Sequence, residues 1–327
     1  MRQTGFPIVV QISCEPDAVA GSPAEPWRGF EASMEMLSAA RRKVAESWDA
    51  PIVLSWMLRA DLHIEEVWGD TAWGLRTYAP QIQTLIDQGD FVGLHAHPIR
   101  DRLNVEDYLD EQWTVDTLGA GIDAFEAQFG HPPGCVSWGR GWSSDSILAL
   151  LNERDVSVDM SAFPGRDRTV AAGSVELLAD VPDLRTMPRH PYYPAESDWR
   201  TEADHPGSGT WVLPFTTSAI DAWLTPTKRS TRRLKWLVTR RHGYRRRIEQ
   251  NYFFAITGPG FSTYVEELAD TEQPYLTLSI RASRLLNTSP EAVAACFTAL
   301  HSVHERYGAY TTDPVSAVRQ LTAVTGP

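Results

Sequence analysis

"GDFVGLHAHPIR", Gly89 to Arg100, is the stretch on which the fold turns. A glycine closes one segment, the apolar run Phe91–Leu94 follows, and the run surfaces at His95 and His97 with Pro98 directly after. Side chains alternate across a β-strand, so two imidazoles two residues apart share one face. A short apolar strand that ends in polar side chains is what a parallel α/β sheet presents at its C-terminal edge. Two readings of the pair stand here: metal ligands, or polar groups hydrogen-bonded to loop carbonyls where the strand surfaces.

Outward from this stretch the same unit recurs. "WGLRTYAPQIQTLIDQG" reads as a helix closed by Gly89, with Pro80 implying a kink or a late start. Before it come the strand "PIVVQIS", the helix "WRGFEASMEMLSAARRKVAESW" and the strand "PIVLSWMLRAD". After it, Leu118, Ile122, Phe125 and Phe129 keep helical spacing up to Gly130. "GCVSW" is a short strand, "SSDSILALLNERD" a serine-capped helix, and "VSVDMSA" alternates like a strand. "GTWVLPFTTS" and "PYLTLSIRAS" follow as strands, and a helix opens at Ser289–Pro290 and ends at Gly308. A repeated βα order predicts mostly parallel strands, in a barrel or a doubly wound sheet. Without internal repeats or a long linker, residues 1–327 read as one domain. The Pro/Asp/Gly-rich region 181–209 reads as an ordered excursion over the barrel.

The chain has 327 residues, ordinary for one α/β barrel, with 43% hydrophobic and 22% charged residues, the composition of a globular protein. No apolar run approaches the length of a membrane span. The N-terminus reads as a strand, since a secretory signal needs a longer apolar region and a small-residue cleavage site. Cys14, Cys135 and Cys296 are odd in number and widely spaced, which points to buried thiols in the cytoplasm. Net charge is −12, yet Thr227–Arg247, "TKRSTRRLKWLVTRRHGYRRR", is densely basic. An acidic protein with one basic segment is not expected to bind nucleic acid. That segment reads either as a solvated helix or loop, or as a site for an anionic ligand or an acidic membrane surface.

In parallel βα folds, chemistry sits at the C-terminal strand ends. These ends supply Ser13, Glu15 and Asp17, then Arg59 and Asp61, then His95 and His97, then "SWGRGW" and "SIRAS". Two imidazoles and a carboxylate at one rim suit a divalent ion, zinc foremost, with a coordination position open for water. Trp138, Trp142, Tyr192 and Tyr193 are candidates for stacking on a sugar or for packing. His190 is a candidate acid supplied from a loop. Arg59 and Asp61 form an expected ion pair at the rim, with Asp61 as an additional acid. His301 and His304 read as surface or packing residues. The phosphate-binding, dinucleotide-binding and serine-hydrolase signatures GxxxxGK[ST], GxGxxG and GxSxG do not occur in the required contexts, so those functions lack their signal.

"ISCEPD", "VLSWMLRAD", "GDFVGLHAHP", "VSWGRGW…VSVDMSAFPG" and "RHPYYPAESDWR…GTWVLPFT" come in the order and spacing of a known family. Between Ile8 and Leu285 the chain resembles the polysaccharide deacetylase (NodB-homology) superfamily, and most of all the deacetylase-like proteins encoded in surface-glycan gene clusters. The resemblance implies an α/β fold, a distorted (β/α)7-type barrel, and divalent-metal hydrolysis of an N-acetyl group on a sugar. It implies Glu15, His95 and His97 as metal ligands, with the histidines in a compressed HxH form. Asp17, Arg140 (with a one-residue shift) and Arg281 fall at catalytic positions. Arg59, Asp61, Trp142, His190 and Tyr192 are the candidate substrate contacts.

The chain departs from the family where the family usually has its base and its acid. Ser13 stands near the usual aspartate and Arg281 at the usual histidine. Serine is no general base without a partner, and arginine, with a pKa above about 12, donates no proton at neutral pH. Arg281 suits an oxyanion, a carboxylate or a phosphate instead. Two functions follow: a metal-dependent amide hydrolase acting on an N-acylated amino sugar or related metabolite, or a repurposed barrel binding a carbohydrate, an anionic ligand or a protein.

Overall fold

The computed structural model describes residues 5–17, 27–100, 105–106, 110–141, 143–166, 183–219 and 248–323. The first half runs β1 (Pro7–Cys14), α1 (Arg28–Ala45), β2 (Ser55–Arg59), α2 (Leu62–Trp68), α3 (Trp73–Thr77), α4 (Ala79–Asp87), β3 (Phe91–Ala96), β4 (Ile99–Arg100), β5 (Val105–Glu106) and α5 (Glu111–Phe129). Next come β6 (Cys135–Trp138), α6 (Asp145–Glu153), β7 (Val158–Asp159), β8 (Pro194–Ala195), β9 (Asp198–Glu202), β10 (Trp211–Val212), β11 (Thr217–Ala219) and β12 (Ile248–Gln250). The chain finishes with α7 (Phe261–Ala269), β13 (Leu276–Arg281), α8 (Pro290–Tyr307), β14 (Tyr310–Thr311) and α9 (Pro314–Ala323).

Local chemistry accounts for many of the boundaries. Asp61, Asp110, Ser144 and Ser289 cap α2, α5, α6 and α8 by accepting a backbone N–H from the first turn. Gly69, Gly130 and Gly308 end α2, α5 and α8 with positive φ, where a side chain would be strained. The single helix expected before Gly89 is two, α3 and α4. Pro80 lies in the first turn of α4, where its missing N–H has no acceptor to lose. The strand expected at 209–218 breaks into β10 and β11 around Pro214.

The described strands of the main sheet follow the order β10-β7-β6-β3-β2-β1-β13, with β14 also on β1, and every pairing is parallel. The sheet curls until its ends meet. Thr216 N donates to Thr277 Oγ1 at 2.6 Å, and Asn251 bridges Thr216 O to Ser279 N. This is a distorted (β/α)7-type barrel, as the family resemblance implies.

Alternation sorts the strands into two layers. Ile8, Val10, Ile12, Trp56, Leu58, Leu94 and Val136 face outward and pack with Phe30, Phe125 and Phe297 of the surrounding helices. Each such fully buried side chain stabilises the fold by about 1.5–3 kcal/mol. Inside the curl, Val9, Met57, Cys135, Val158 and Met160 meet Ala317, Val318 and Leu321 of α9, which plugs the N-terminal end. Further along, the interior turns polar at Gln11 and Ser137. The apolar floor and helical plug thus direct polar chemistry to the C-terminal mouth.

Asp159 is a buried carboxylate apart from that mouth, on the helix-covered face of β7. It is fully buried, accepts from Ser143 Oγ at 2.9 Å and from Ser161 Oγ, and burial pushes its pKa up to about 6. Its folded pKa lies above the unfolded value of about 3.9, so its contribution is fully present below the unfolded pKa and is lost as pH rises through about 6. Comparison of wild type with Asp159→Asn by urea unfolding cancels the other titrations. The difference in stability is expected to move against wild type by on the order of 2 kcal/mol between pH 4.5 and 7.5. A pH-independent difference would show that Asp159 titrates normally.

Candidate metal centre

The inner face of β1 continues through Gln11 and Ser13 to Glu15, and the inner face of β3 continues to His95 and His97. Strand register aligns Arg59 with His95 and Ser13 with Arg281, so all these positions lie at one end of the barrel. Glu15, His95 and His97 are 3%, 4% and 5% exposed, and one ligand atom from each lies within 4.8 Å of the others. His95 Nε2 is 3.1 Å from His97 Nε2, which is 3.3 Å from Glu15 Oε2.

A tetrahedral ion with bonds of about 2.0–2.2 Å sets its ligand atoms roughly 3.3–3.6 Å apart, close to both short separations. The tautomer also fits. His95 Nδ1 lies 2.7 Å from the Ser137 carbonyl, which only accepts, so Nδ1 carries the hydrogen and Nε2 turns its lone pair to the cluster. Gly139 gives the His97 ring its space, since a Cβ there would meet the ring at 2.0 Å.

Electrostatics point the same way. Burial first, then the neighbouring His97, lowers the His95 pKa to about 3, leaving it in the neutral form that binds metals. Burial alone would raise Glu15, but the His97 hydrogen bond and charge, followed by Arg281, hold it well below the carboxylate range. With His95 neutral and Glu15 ionised, the cluster offers an imidazole lone pair and a carboxylate, donors suited to a divalent cation.

Arg281 Nε donates to Glu15 Oε1 at 2.5 Å, and its side chain is 48% exposed at the mouth. Beneath the cluster, Arg59 Nε donates to Asp61 Oδ2 at 2.6 Å, and Arg59 Nη1 is 3.9 Å from Glu15 Oε2. The expected ion pair is present, and both residues are completely buried beneath the cluster instead of standing at the rim. Asp17 is occupied elsewhere: its two oxygens accept from Arg28 N and Gly29 N at the start of α1, at 3.0 and 2.8 Å. Ser13 Oγ accepts from Gln11 Nε2 at 3.3 Å and has no basic partner in that contact. Cys14, next to Glu15, is buried on the opposite face, and burial pushes its thiol well above the usual range.

Tyr192 is also fully buried, with its hydroxyl donating to Trp199 O at 2.8 Å, so it packs in the core. His190 pairs with Glu202 at 3.0 Å and lines a separate 470 Å³ surface cavity with Arg189, Tyr264 and Glu267. Arg140 is in a short 3-10 turn after β6. Trp142 and the basic segment 227–247 lie outside the described residues. His63, Ser137 and Gly139 were not anticipated. Ser137 acts through its backbone carbonyl, which has no residue-type signal, whereas His63, two positions after Asp61, was open to inspection.

No family model matches the chain, and no curated protein does. Solved structures do. A Mycobacterium smegmatis protein assigned as a polysaccharide deacetylase aligns over 99% of this chain and 93% of its own, at TM-score 0.56 and 13% identity. A Parabacteroides distasonis protein assigned as a glycoside hydrolase/deacetylase aligns over 99% and 73%, at TM-score 0.58 and 12% identity. The fold is polysaccharide-deacetylase-like. At such identity, likeness of the barrels speaks for architecture, and function has to be argued from the site. In this deacetylase-like barrel, the candidate site is the Glu15–His95–His97 cluster at the mouth.

Proposed function

We propose that the protein is a divalent-metal-dependent amide hydrolase acting on an N-acylated amino sugar or a related small metabolite. The observation that carries this reading is the convergence of Glu15, His95 and His97 within 4.8 Å at the C-terminal end of the barrel. These three residues would hold the ion, zinc by the nature of the donors, and a bound ion polarises a carbonyl and lowers the pKa of water to about 7. Arg281 orients Glu15 through one oxygen and, after His97, helps to keep it ionised. Its exposed side chain presents a permanent positive charge where a carbonyl oxygen gains negative charge, or where an anionic substrate group docks. Because it never releases its proton at working pH, it orients and stabilises and is no acid.

A second reading rests on a specific observation. Asp17, a candidate base, and Asp61, a candidate additional acid, are both engaged by backbone N–H groups. A metal-holding barrel without a ready base suits a binder of acylated sugars or anionic ligands. The two readings separate in one assay. Metal-free protein is reloaded with zinc, manganese or cobalt and given a panel of N-acetyl amino sugars and short oligomers, and released acetate is measured. Metal-dependent release that His97→Ala abolishes supports hydrolysis. Calorimetric binding of the same sugars without release supports the second reading.

The cytoplasm remains the proposed location, since the three cysteines are buried and unpaired. No described helix is long and apolar enough to cross a membrane. The basic segment is proposed to attract an anionic substrate or membrane surface, and no nucleic-acid partner is proposed.

A further inference from the structure

The compressed spacing of the two histidines creates a backbone problem. β3 ends at Ala96 and β2 at Arg59, so the sheet has run out where His97 stands. The last main-chain bond between the two segments is Ala60 N to His95 O, at 3.1 Å. Asp61 takes over from there: its Oδ2 accepts His97 N at 3.0 Å and Arg59 Nε at 2.6 Å, and its Oδ1 accepts Ile64 N at 3.0 Å. A single fully buried carboxylate therefore starts α2 and substitutes for the missing strand partner of a candidate metal ligand. Arg59 locks it in place from beneath, with Nη2 on His63 Nδ1 at 3.1 Å. Among the described residues, Arg59 Nη1 has no hydrogen-bond partner, and it stands 3.9 Å from Glu15 Oε2.

We infer that Asp61, backed by Arg59, is a positioning residue that sets the His97 backbone so that this closely spaced histidine pair can converge with Glu15 on one ion. The inference rests on the metal reading above. It assigns the buried pair a role in ligand geometry and none in substrate contact.

Asp61→Ser separates the two duties of the carboxylate. Serine still caps α2, being among the preferred N-caps, but is too short to hold His97 N as well. Three readouts apply: zinc affinity by competition with a chromophoric chelator, the visible spectrum of the cobalt-substituted protein, and hydrogen exchange at the His97 amide of metal-free protein. Asp61→Ser is expected to weaken zinc about 10–100-fold, shift the cobalt bands and deprotect the His97 amide. Asp159→Asn, altering a buried aspartate that does not touch the cluster, is expected to leave all three as in wild type. Should Asp61→Ser fail to fold, Arg59→Met/Asp61→Ser removes the stranded charge and keeps the readouts. Zinc affinity within about twofold of wild type, or unchanged exchange at His97, overturns the inference. A wild type that takes up no zinc sinks the metal reading and the metal role of Asp61 with it, while exchange at His97 still decides the clamp.

Discussion

Protein purified without chelator is expected to carry about one equivalent of a divalent metal, and His95→Ala/His97→Ala to carry none. Loss of a supporting contact alone typically weakens a metal site 10–100-fold, so deleting two of three ligands should take affinity below detection in elemental analysis. The substitutions remove ring nitrogens that face one another at 3.1 Å, a packing that favours an intervening cation or a shared proton. The metal-free double variant should therefore remain folded. Wild type should gain thermal stability on zinc addition, about 4 kcal/mol at a thousandfold excess over Kd, and the variant should gain none. Equal metal in both proteins would place the ion elsewhere. Its absence from both, even after supplementation, would leave the barrel as a metal-free binder.

The second large effect concerns the buried pair beneath the cluster. Asp61→Leu strands the Arg59 guanidinium, 0% exposed, and is expected to cost about 3–5 kcal/mol in chemical denaturation. It also removes the α2 cap, worth about 1 kcal/mol, and the acceptor for His97 N. Arg59→Met should destabilise as well, by leaving Asp61 charged and without its counter-ion. The pair Arg59→Met/Asp61→Leu removes both charges and should recover much of the loss, since paired buried ions often contribute little net stability over well-packed apolar residues. Additive losses in the double variant would show that the two side chains act independently, contrary to their 2.6 Å contact.

Much of this molecule is legible in residue order. Alternation along β1 and β3 predicts that Glu15, His95 and His97 point to one side, because a strand has a period of two whatever surrounds it. Helix ends at Ser144, Ser289, Gly130 and Gly308 are equally local, set by side chains and backbone angles within one turn. The compressed histidine spacing and the departures at Ser13 and Arg281 are also features of residue order alone.

Tertiary structure decided what each candidate is free to do. Glu15 and Asp17 are two positions apart, yet one turns into the cluster and the other binds the first amides of α1. His190 stays at the surface while Tyr192 vanishes into the core, and Arg59 and Asp61, expected at the rim, are sealed beneath it. The Ser137 carbonyl that orients His95 belongs to the backbone, identical in every residue type. Local sequence sets the direction of a side chain through backbone geometry. Its solvent access and partners depend on which distant segments pack over it, and only the assembled barrel determines those.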